Sequence, residues 1–236
     1  GLYHAGWALN TTYLGMIFTA MGKDYFPRLS QNVDDLNATN AKINEQSEIA
    51  ILILAPLIIA MLVFLPFLIQ LLYSIEFIDM IPMTKWFLIG SLIKAGSWGI
   101  SFVFLAKGDG KIFLFNELGI LLVTLPAYLV GYYWFGLEGI GYAFIFSYVI
   151  YFVWVAIVAA KKYNIKYNSE FWRIFLVLLI TLLVFPLGEY LWGAKYITGV
   201  VLIFVISVFS FYELNKRIKF KLIIESIINK YGIKKK

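Results

Sequence analysis

Long apolar runs separated by short polar segments dominate the pattern of the chain. A helix that crosses roughly 30 Å of hydrocarbon needs about 20 mainly apolar residues. Lipid offers no partners to unpaired backbone groups, so each run is predicted to be a transmembrane helix. The pattern predicts an all-α polytopic transmembrane bundle with seven spans, at residues 2–22, 49–73, 83–106, 112–135, 138–160, 172–192 and 196–212.

The polar segments between these runs predict the connections. The fourth and fifth spans are joined at residues 136–137, and the sixth and seventh at residues 193–195, so both pairs are predicted to be tight hairpins. The longest connection, residues 23–48, predicts a surface helix that leads into the second span. Residues 213–236 alternate isoleucines with lysines at helical spacing, which predicts a basic amphipathic tail along the membrane surface.

Composition supports a membrane protein and excludes several other classes. Only 14% of the 236 residues are charged, against roughly 25% in soluble domains. The chain has no cysteine and only one histidine, His4, so a disulfide framework and a thiolate or histidine metal site are excluded. We therefore expect no metal and no cofactor.

The distribution of basic residues predicts the orientation of the bundle. Of the 20 Lys and Arg residues, only Lys85 and Lys195 lie in loops on one side, and Lys94 lies inside a span. The positive-inside rule places the other loops and the C-terminus in the cytoplasm. The net charge of +6 therefore reflects topology and not nucleic-acid binding. Gly1 would enter from the outer side, so we expect the chain to be the C-terminal part of a longer protein.

Four of the seven spans carry polar residues on one helical face, whereas the second, sixth and seventh are almost entirely apolar. We expect the four polar faces to meet in a common interior. Their members are His4, Trp7, Asn10 and Thr11; Gly90, Ser91, Lys94, Ser97, Trp98 and Ser101; Asn116, Glu117 and Thr124; and Gly141, Ser147, Tyr148 and Tyr151.

Lys94 is the strongest candidate for a functional residue. It lies 13 residues, or about 20 Å of helix, from the basic loop at Lys107, which is too far for its ammonium group to reach the interface easily. A charge at that depth costs about 2.5–3.5 kcal/mol by insertion scales. Lys94 is therefore predicted either to bind an anionic substrate in a cavity or to pair with a neighbouring side chain.

Three further residues are weaker candidates for the translocation pathway. Glu117 is predicted to be a proton or cation site or a partner of Lys94, with an interfacial, hydrated carboxylate as the alternative. Asn10 and His4 could contact substrate, or they could be hydrogen-bonded packing residues of the first span.

Several short segments together resemble the polysaccharide, or O-antigen, flippases of the MOP exporter superfamily, the Wzx-type translocases. The resemblance covers about residues 1–150. Its segments are Asp24-Tyr25-Phe26-Pro27-Arg28-Leu29-Ser30 directly after a span, Gly1-Leu2-Tyr3 before it, Trp98 through Ala106-Lys107-Gly108 with Lys111, and Gly136-Leu137-Glu138-Gly139-Ile140-Gly141.

The resemblance implies that the protein moves undecaprenyl-diphosphate-linked oligosaccharides across the bacterial inner membrane by alternating access, for polysaccharide or lipopolysaccharide biosynthesis. It implies substrate contact for Lys94 and, less directly, for Asn10 and His4. Asp24 and Arg28 would form a cytoplasmic gate or a structural cap. The implied partners are the lipid-linked substrate, membrane lipids, glycan polymerases or ligases, and an N-terminal bundle of the same chain that lies upstream of Gly1.

Three other functions remain open at this stage. A cation-coupled multidrug exporter of the same superfamily would depend more on Glu117 than on Lys94. A membrane-embedded glycan polymerase or ligase would need a large outer loop with catalytic charges, and the predicted outer loops are too short, so we do not expect an enzyme. A non-catalytic membrane scaffold would not require the polar faces.

Overall fold

The computed structural model describes residues 1–31, 33–192 and 195–218, and every regular element in these ranges is helical. The elements are α1 (Leu2–Ser30), α2 (Leu36–Leu72), a short 3₁₀ helix (Ile75–Met80), α3 (Ile81–Ala106), α4 (Gly110–Tyr163), α5 (Ser169–Trp192) and α6 (Lys195–Ile218). The predicted all-α fold is therefore confirmed for the described residues.

Helix α4 is a hairpin of two helical arms. Gly136 breaks it with φ 61° and ψ −144°, a backbone conformation that glycine adopts most easily. A Cβ atom added at Gly131 would lie 2.3 Å from the carbonyl oxygen of Gly139, whereas residues eight apart in a straight helix are about 12 Å apart. The chain thus reverses at Gly136, between a first arm (residues 110–135) and a second arm (residues 137–163).

Among the described residues, five helices are long and apolar enough to cross a membrane: α2, α3 with its preceding 3₁₀ helix, α4, α5 and α6. This is fewer than the seven spans predicted. One reason is that α4 counts as one helix although it contains two predicted spans. The other is that α1 carries His4, Asn10, Thr11 and Thr12, which lower its mean hydropathy. The fold is nevertheless that of a membrane-embedded helical bundle.

Helix ends differ from the predicted spans mainly at the polar connections. Helix α1 continues to Ser30, eight residues past its predicted end. Helix α2 begins at Leu36, where the Asp35 carboxylate accepts hydrogen bonds from the amides of Asn37 and Ala38. The predicted connection 23–48 is therefore divided between the end of α1 (residues 23–30) and the start of α2 (residues 36–48). Helix α6 continues to Ile218. The rest of the predicted tail, residues 219–236, and the turn at 193–194 lie outside the described residues.

Helix α3 lies at the centre of the bundle, in contact with α1, α2, α4 and α5. Small residues along α3 let neighbouring helices approach closely. A Cβ at Gly90 would lie 2.5 Å from the ring of Phe144, and one at Gly99 would lie 2.1 Å from Ser47 Oγ. This central position is what carries Lys94 into the interior.

Ion pairs between helices mark the two ends of the bundle. At one end, Lys162 pairs with Asp109 and Arg217 pairs with Glu48. At the other, Lys85 pairs with Glu189. We call these the basic end and the Gly136 end, because most basic loops lie at the first and the α4 reversal lies at the second.

Candidate functional site

A cavity of about 290 Å³ lies between α3 and the two arms of α4. Helix α3 contributes Lys94, Ser97, Trp98, Ser101 and Phe102; the first arm contributes Phe113, Glu117 and Ile120; the second contributes Tyr148 and Tyr151. Three of the four predicted polar faces therefore meet here. We call this the Lys94 cavity.

Aromatic rings, and not a carboxylate, surround the Lys94 ammonium group. Its Nζ lies 5.5 Å from the ring centroid of Tyr148 and 5.8 Å from that of Phe18. Within residues 1–31, 33–192 and 195–218, no salt bridge to Lys94 is present. Each cation–π contact contributes roughly 0.5–2 kcal/mol, so the two together are comparable with the roughly 2.5–3.5 kcal/mol cost of a lysine in the membrane interior. The aromatic rings therefore stabilise the cation without neutralising its charge.

Glu117 lines the same cavity but is held by a different partner. Its Oε1 accepts a hydrogen bond of 2.8 Å from the Tyr151 hydroxyl across the two arms of α4. The neighbouring Asn116 Oδ1 accepts a bond of 2.8 Å from Trp154 Nε1. These two bonds fix the first arm against the second and leave the Glu117 carboxylate at the cavity wall, more than 4.0 Å from Lys94 Nζ.

The serine hydroxyls of the cavity are committed as donors to their own helix. Ser97 Oγ donates to the Lys94 carbonyl (2.9 Å) and Ser101 Oγ donates to the Trp98 carbonyl (2.8 Å). Such local bonds leave only acceptor capacity on the hydroxyl oxygens. Lys94 therefore supplies the charged donor of the cavity, and the serine hydroxyls can only accept hydrogen bonds from a ligand.

Asn10 and His4 lie elsewhere. Asn10 is buried, and its Oδ1 accepts a hydrogen bond of 3.0 Å from Ser91 Oγ, which joins α1 to α3 without lining the Lys94 cavity. His4 is exposed near the start of α1 and also does not line the cavity. The structure thus groups Lys94 with Glu117 and separates both from Asn10 and His4.

Asp24 and Arg28 form an ion pair of 2.7 Å one turn apart on α1, with both side chains at least half exposed. Arg28 also donates to Gln46 Oε1 at 3.2 Å, and its carbonyl accepts a bond of 2.7 Å from Lys42 Nζ. These contacts tie the end of α1 to α2 at the basic end.

Trp98 and Phe102 separate the Lys94 cavity from a second groove of about 500 Å³ that contains Lys23. Both residues line both spaces. Their ring centroids lie 5.0 Å apart, and Trp98 also contacts Phe18 and Tyr25 at 5.6 Å. An aromatic wall therefore stands between Lys94 and the basic end.

Sequence reasoning did not select Phe18, Phe102, Tyr148 or Tyr151 as site residues. Tyr148 and Tyr151 were on the polar face of the fifth span, and their spacing beside Ser147 was the available signal. Phe18 and Phe102 had none, because a phenylalanine in an apolar run looks the same whether it faces lipid or a cation. Among the described residues, no group of three or more potential metal ligands occurs.

The chain was compared with protein-family models, curated proteins and solved structures, and none of them matches it.

Proposed function

We propose that the chain forms one half of a transporter that moves undecaprenyl-diphosphate-linked oligosaccharides across the bacterial inner membrane by alternating access. The observation that carries the proposal is the position of Lys94. It is a cation inside an apolar bundle that faces a cavity and has aromatic rings around it, and no carboxylate in the described part of the chain pairs with it. The motif resemblance supplies the substrate class.

Electrostatics supports an anionic substrate at this position. One negative charge about 4 Å from Lys94 Nζ would contribute about 4 kcal/mol at an effective dielectric near 20. That exceeds the roughly 2.5–3.5 kcal/mol cost of a lysine at the centre of a membrane helix. A diphosphate would therefore be held by Lys94, while the surrounding rings keep the ammonium oriented when the cavity is empty.

The proposal includes seven membrane spans, two more than the five apolar helices. Each arm of α4 would be one span, and α1 would be another, which gives seven, with the C-terminus in the cytoplasm. The polar and exposed residues of α1, such as His4, Thr12 and Thr19, would then face a second bundle of the same protein. That bundle would supply the opposite wall of the pathway, and glycan polymerases or ligases would use the exported product.

A cation-coupled exporter of small molecules is the second candidate. Its support is Glu117, which lines the same cavity and is hydrogen-bonded to Tyr151. In that case the carboxylate would bind the coupling cation or proton, and Lys94 would compete with that cation for the cavity. The two proposals differ in which of the two charges is indispensable.

The test is export of surface glycan by variants of the full-length protein. We expect Lys94→Ala to abolish export, Lys94→Arg to retain part of it, and Lys111→Ala, an exposed lysine at the basic end, to export normally. Membrane insertion is checked by immunoblot of each variant. Normal export by Lys94→Ala would contradict the proposal, and loss of drug efflux in Glu117→Gln with normal export in Lys94→Ala would support the second candidate.

A further inference from the structure

A second cavity lies at the Gly136 end, between the start of α3, the second arm of α4 and the end of α5. Its volume is about 570 Å³, within the roughly 300–1,000 Å³ typical of small-molecule sites. We call it the Trp86 groove. Its wall combines three aromatic rings with three charged side chains: Trp86, Tyr142, Tyr190, Lys85, Glu138 and Glu189.

The Glu138 side chain is hydrogen-bonded to two of the three aromatic residues. Its Oε1 accepts hydrogen bonds from Trp86 Nε1 (2.9 Å) and from the Tyr142 hydroxyl (2.8 Å). In the described part of the chain, no donor is bonded to its other carboxylate oxygen. An ionised carboxylate oxygen with free lone pairs is a strong acceptor for hydroxyl groups.

The rings are held in place by packing. The centroids of Trp86 and Tyr142 lie 5.1 Å apart at an interplanar angle of 57°. A Cβ at Gly141 would lie 2.7 Å from Trp86 Cβ, so the backbone of the second arm rests directly against the Trp86 side chain. Tyr190, on α5, is 87% exposed and lines the same groove. Aromatic faces are therefore offered from two sides.

The charges of the groove disfavour an anion. Lys85 Nζ pairs with Glu189 Oε2 at 2.5 Å, and the two side chains are 17% and 29% exposed. The charged side chains that line the groove are thus one lysine and two glutamates, Glu138 and Glu189, which gives the lining a net negative charge. A phosphate would be repelled, whereas a neutral ligand with several hydroxyl groups would be accepted.

We propose that the Trp86 groove binds a neutral pyranose sugar. A pyranose ring has apolar C–H faces, which fit aromatic rings such as Trp86 and Tyr190, and a rim of hydroxyl donors, which fit the free oxygen of Glu138. This inference deepens the proposed function by giving the sugar part of the substrate a place at the Gly136 end, and its transport role rests on that function. Binding itself can be measured without transport.

The experiment is saturation-transfer difference NMR on the purified full-length protein in lauryldimethylamine oxide, a detergent without a sugar headgroup. The probes are the methyl glycosides of glucose, galactose and N-acetylglucosamine. We expect saturation transfer to the ring C–H protons of one or more of them. Tyr190→Ala and Glu138→Gln should each weaken affinity by about fivefold or more, as expected for a lost ring contact or a lost charged acceptor.

Tyr133→Ala is the matched control, since Tyr133 is 84% exposed at the same end but does not line the groove; its affinity should not change. Circular dichroism checks that each variant folds. The inference is overturned if no glycoside shows transfer, or if both groove variants retain wild-type affinity. Groove-dependent transfer to glycerophosphoethanolamine instead of the glycosides would overturn it in favour of a lipid headgroup. Sugar binding combined with normal glycan export by Lys94→Ala would refute the proposed function alone.

Discussion

Arg217 is predicted to be the most important side chain for the stability of the basic end. Its guanidinium contacts three carboxylates from three helices: Glu48 of α2 at 2.6 Å, Glu213 of α6 at 2.9 Å and Glu170 of α5 at 3.0 Å. The side chains of Arg217, Glu48 and Glu213 are only 9%, 6% and 2% exposed. This is a buried ion network that connects α2, α5 and α6.

Arg217→Ala should destabilise the bundle by about 3–5 kcal/mol, because removing one partner of a buried pair leaves the other charge without compensation. Glu48 is the residue most affected, since Arg217 is its only salt-bridge partner among the described residues. For a chain of this size, about 2–4 °C of melting temperature corresponds to 1 kcal/mol. We therefore expect a loss of roughly 6–20 °C, measured by intrinsic tryptophan fluorescence during heating in detergent.

Arg173→Ala provides the matched control. Arg173 pairs with Glu170 at 3.5 Å and with Glu213 at 3.1 Å, but its own side chain is 52% exposed. Exposed pairs contribute roughly 0–1 kcal/mol, so its melting temperature should fall by at most about 4 °C. Adding Glu48→Gln to Arg217→Ala should recover part of the lost stability. A melting temperature of Arg217→Ala equal to that of wild type, or equal to that of Arg173→Ala, would refute the reasoning.

Two further predictions concern the reversal and the start of α4. Gly136→Ala should destabilise the hairpin by about 1–3 kcal/mol, because φ 61° with ψ −144° is strained for any residue with a Cβ. The test is thermal unfolding, with Gly119→Ala as the control because Gly119 has open space around it. Equal melting temperatures of the two variants would contradict the prediction. Hydrogen bonds from Tyr163 and Lys162 lower the pKa of Asp109 below its usual value. This contribution to stability is therefore present above the unfolded pKa of about 3.9 and is lost as pH falls through the lower folded value. Asp109→Asn should accordingly be less stable than wild type at pH 7, and its stability should approach that of wild type at pH 3. A stability difference between the two proteins that is independent of pH would contradict this prediction.

The hydropathy pattern predicted the interior more accurately than the ends of the helices. The reversal at Gly136 falls where an interruption of the apolar run predicted a turn, and Lys94 lies on the polar face that contributes most to the cavity. Helix α1 extends to Ser30 because charged residues such as Lys23 and Asp24 are compatible with a helix outside lipid. An apolar run marks where a helix leaves the membrane and not where the helix ends.

Long-range partners could not be predicted from the sequence. Asn10 was expected either to contact substrate or to be a hydrogen-bonded packing residue, and the sequence does not show that its hydrogen-bond partner is Ser91, 81 positions away. The four-residue spacing of Glu213 and Arg217 indicates an ion pair on one helix. Nothing in the sequence indicates the second ion pair of Arg217, with Glu48, which is 169 positions away. Such pairings depend on which helices become neighbours, and the hydrophobic pattern leaves that choice open.

Binding of a diphosphate lipid at Lys94 tests the central claim most directly. The measurement is the affinity of geranyl diphosphate for the full-length protein in detergent, by isothermal titration calorimetry, with the Lys94→Ala, Lys94→Arg and Lys111→Ala variants. The account predicts that Lys94→Ala weakens binding by about tenfold or more, which corresponds to about 1.4 kcal/mol, and that the other two variants retain most of the affinity. Equal affinities of wild type and Lys94→Ala would contradict it.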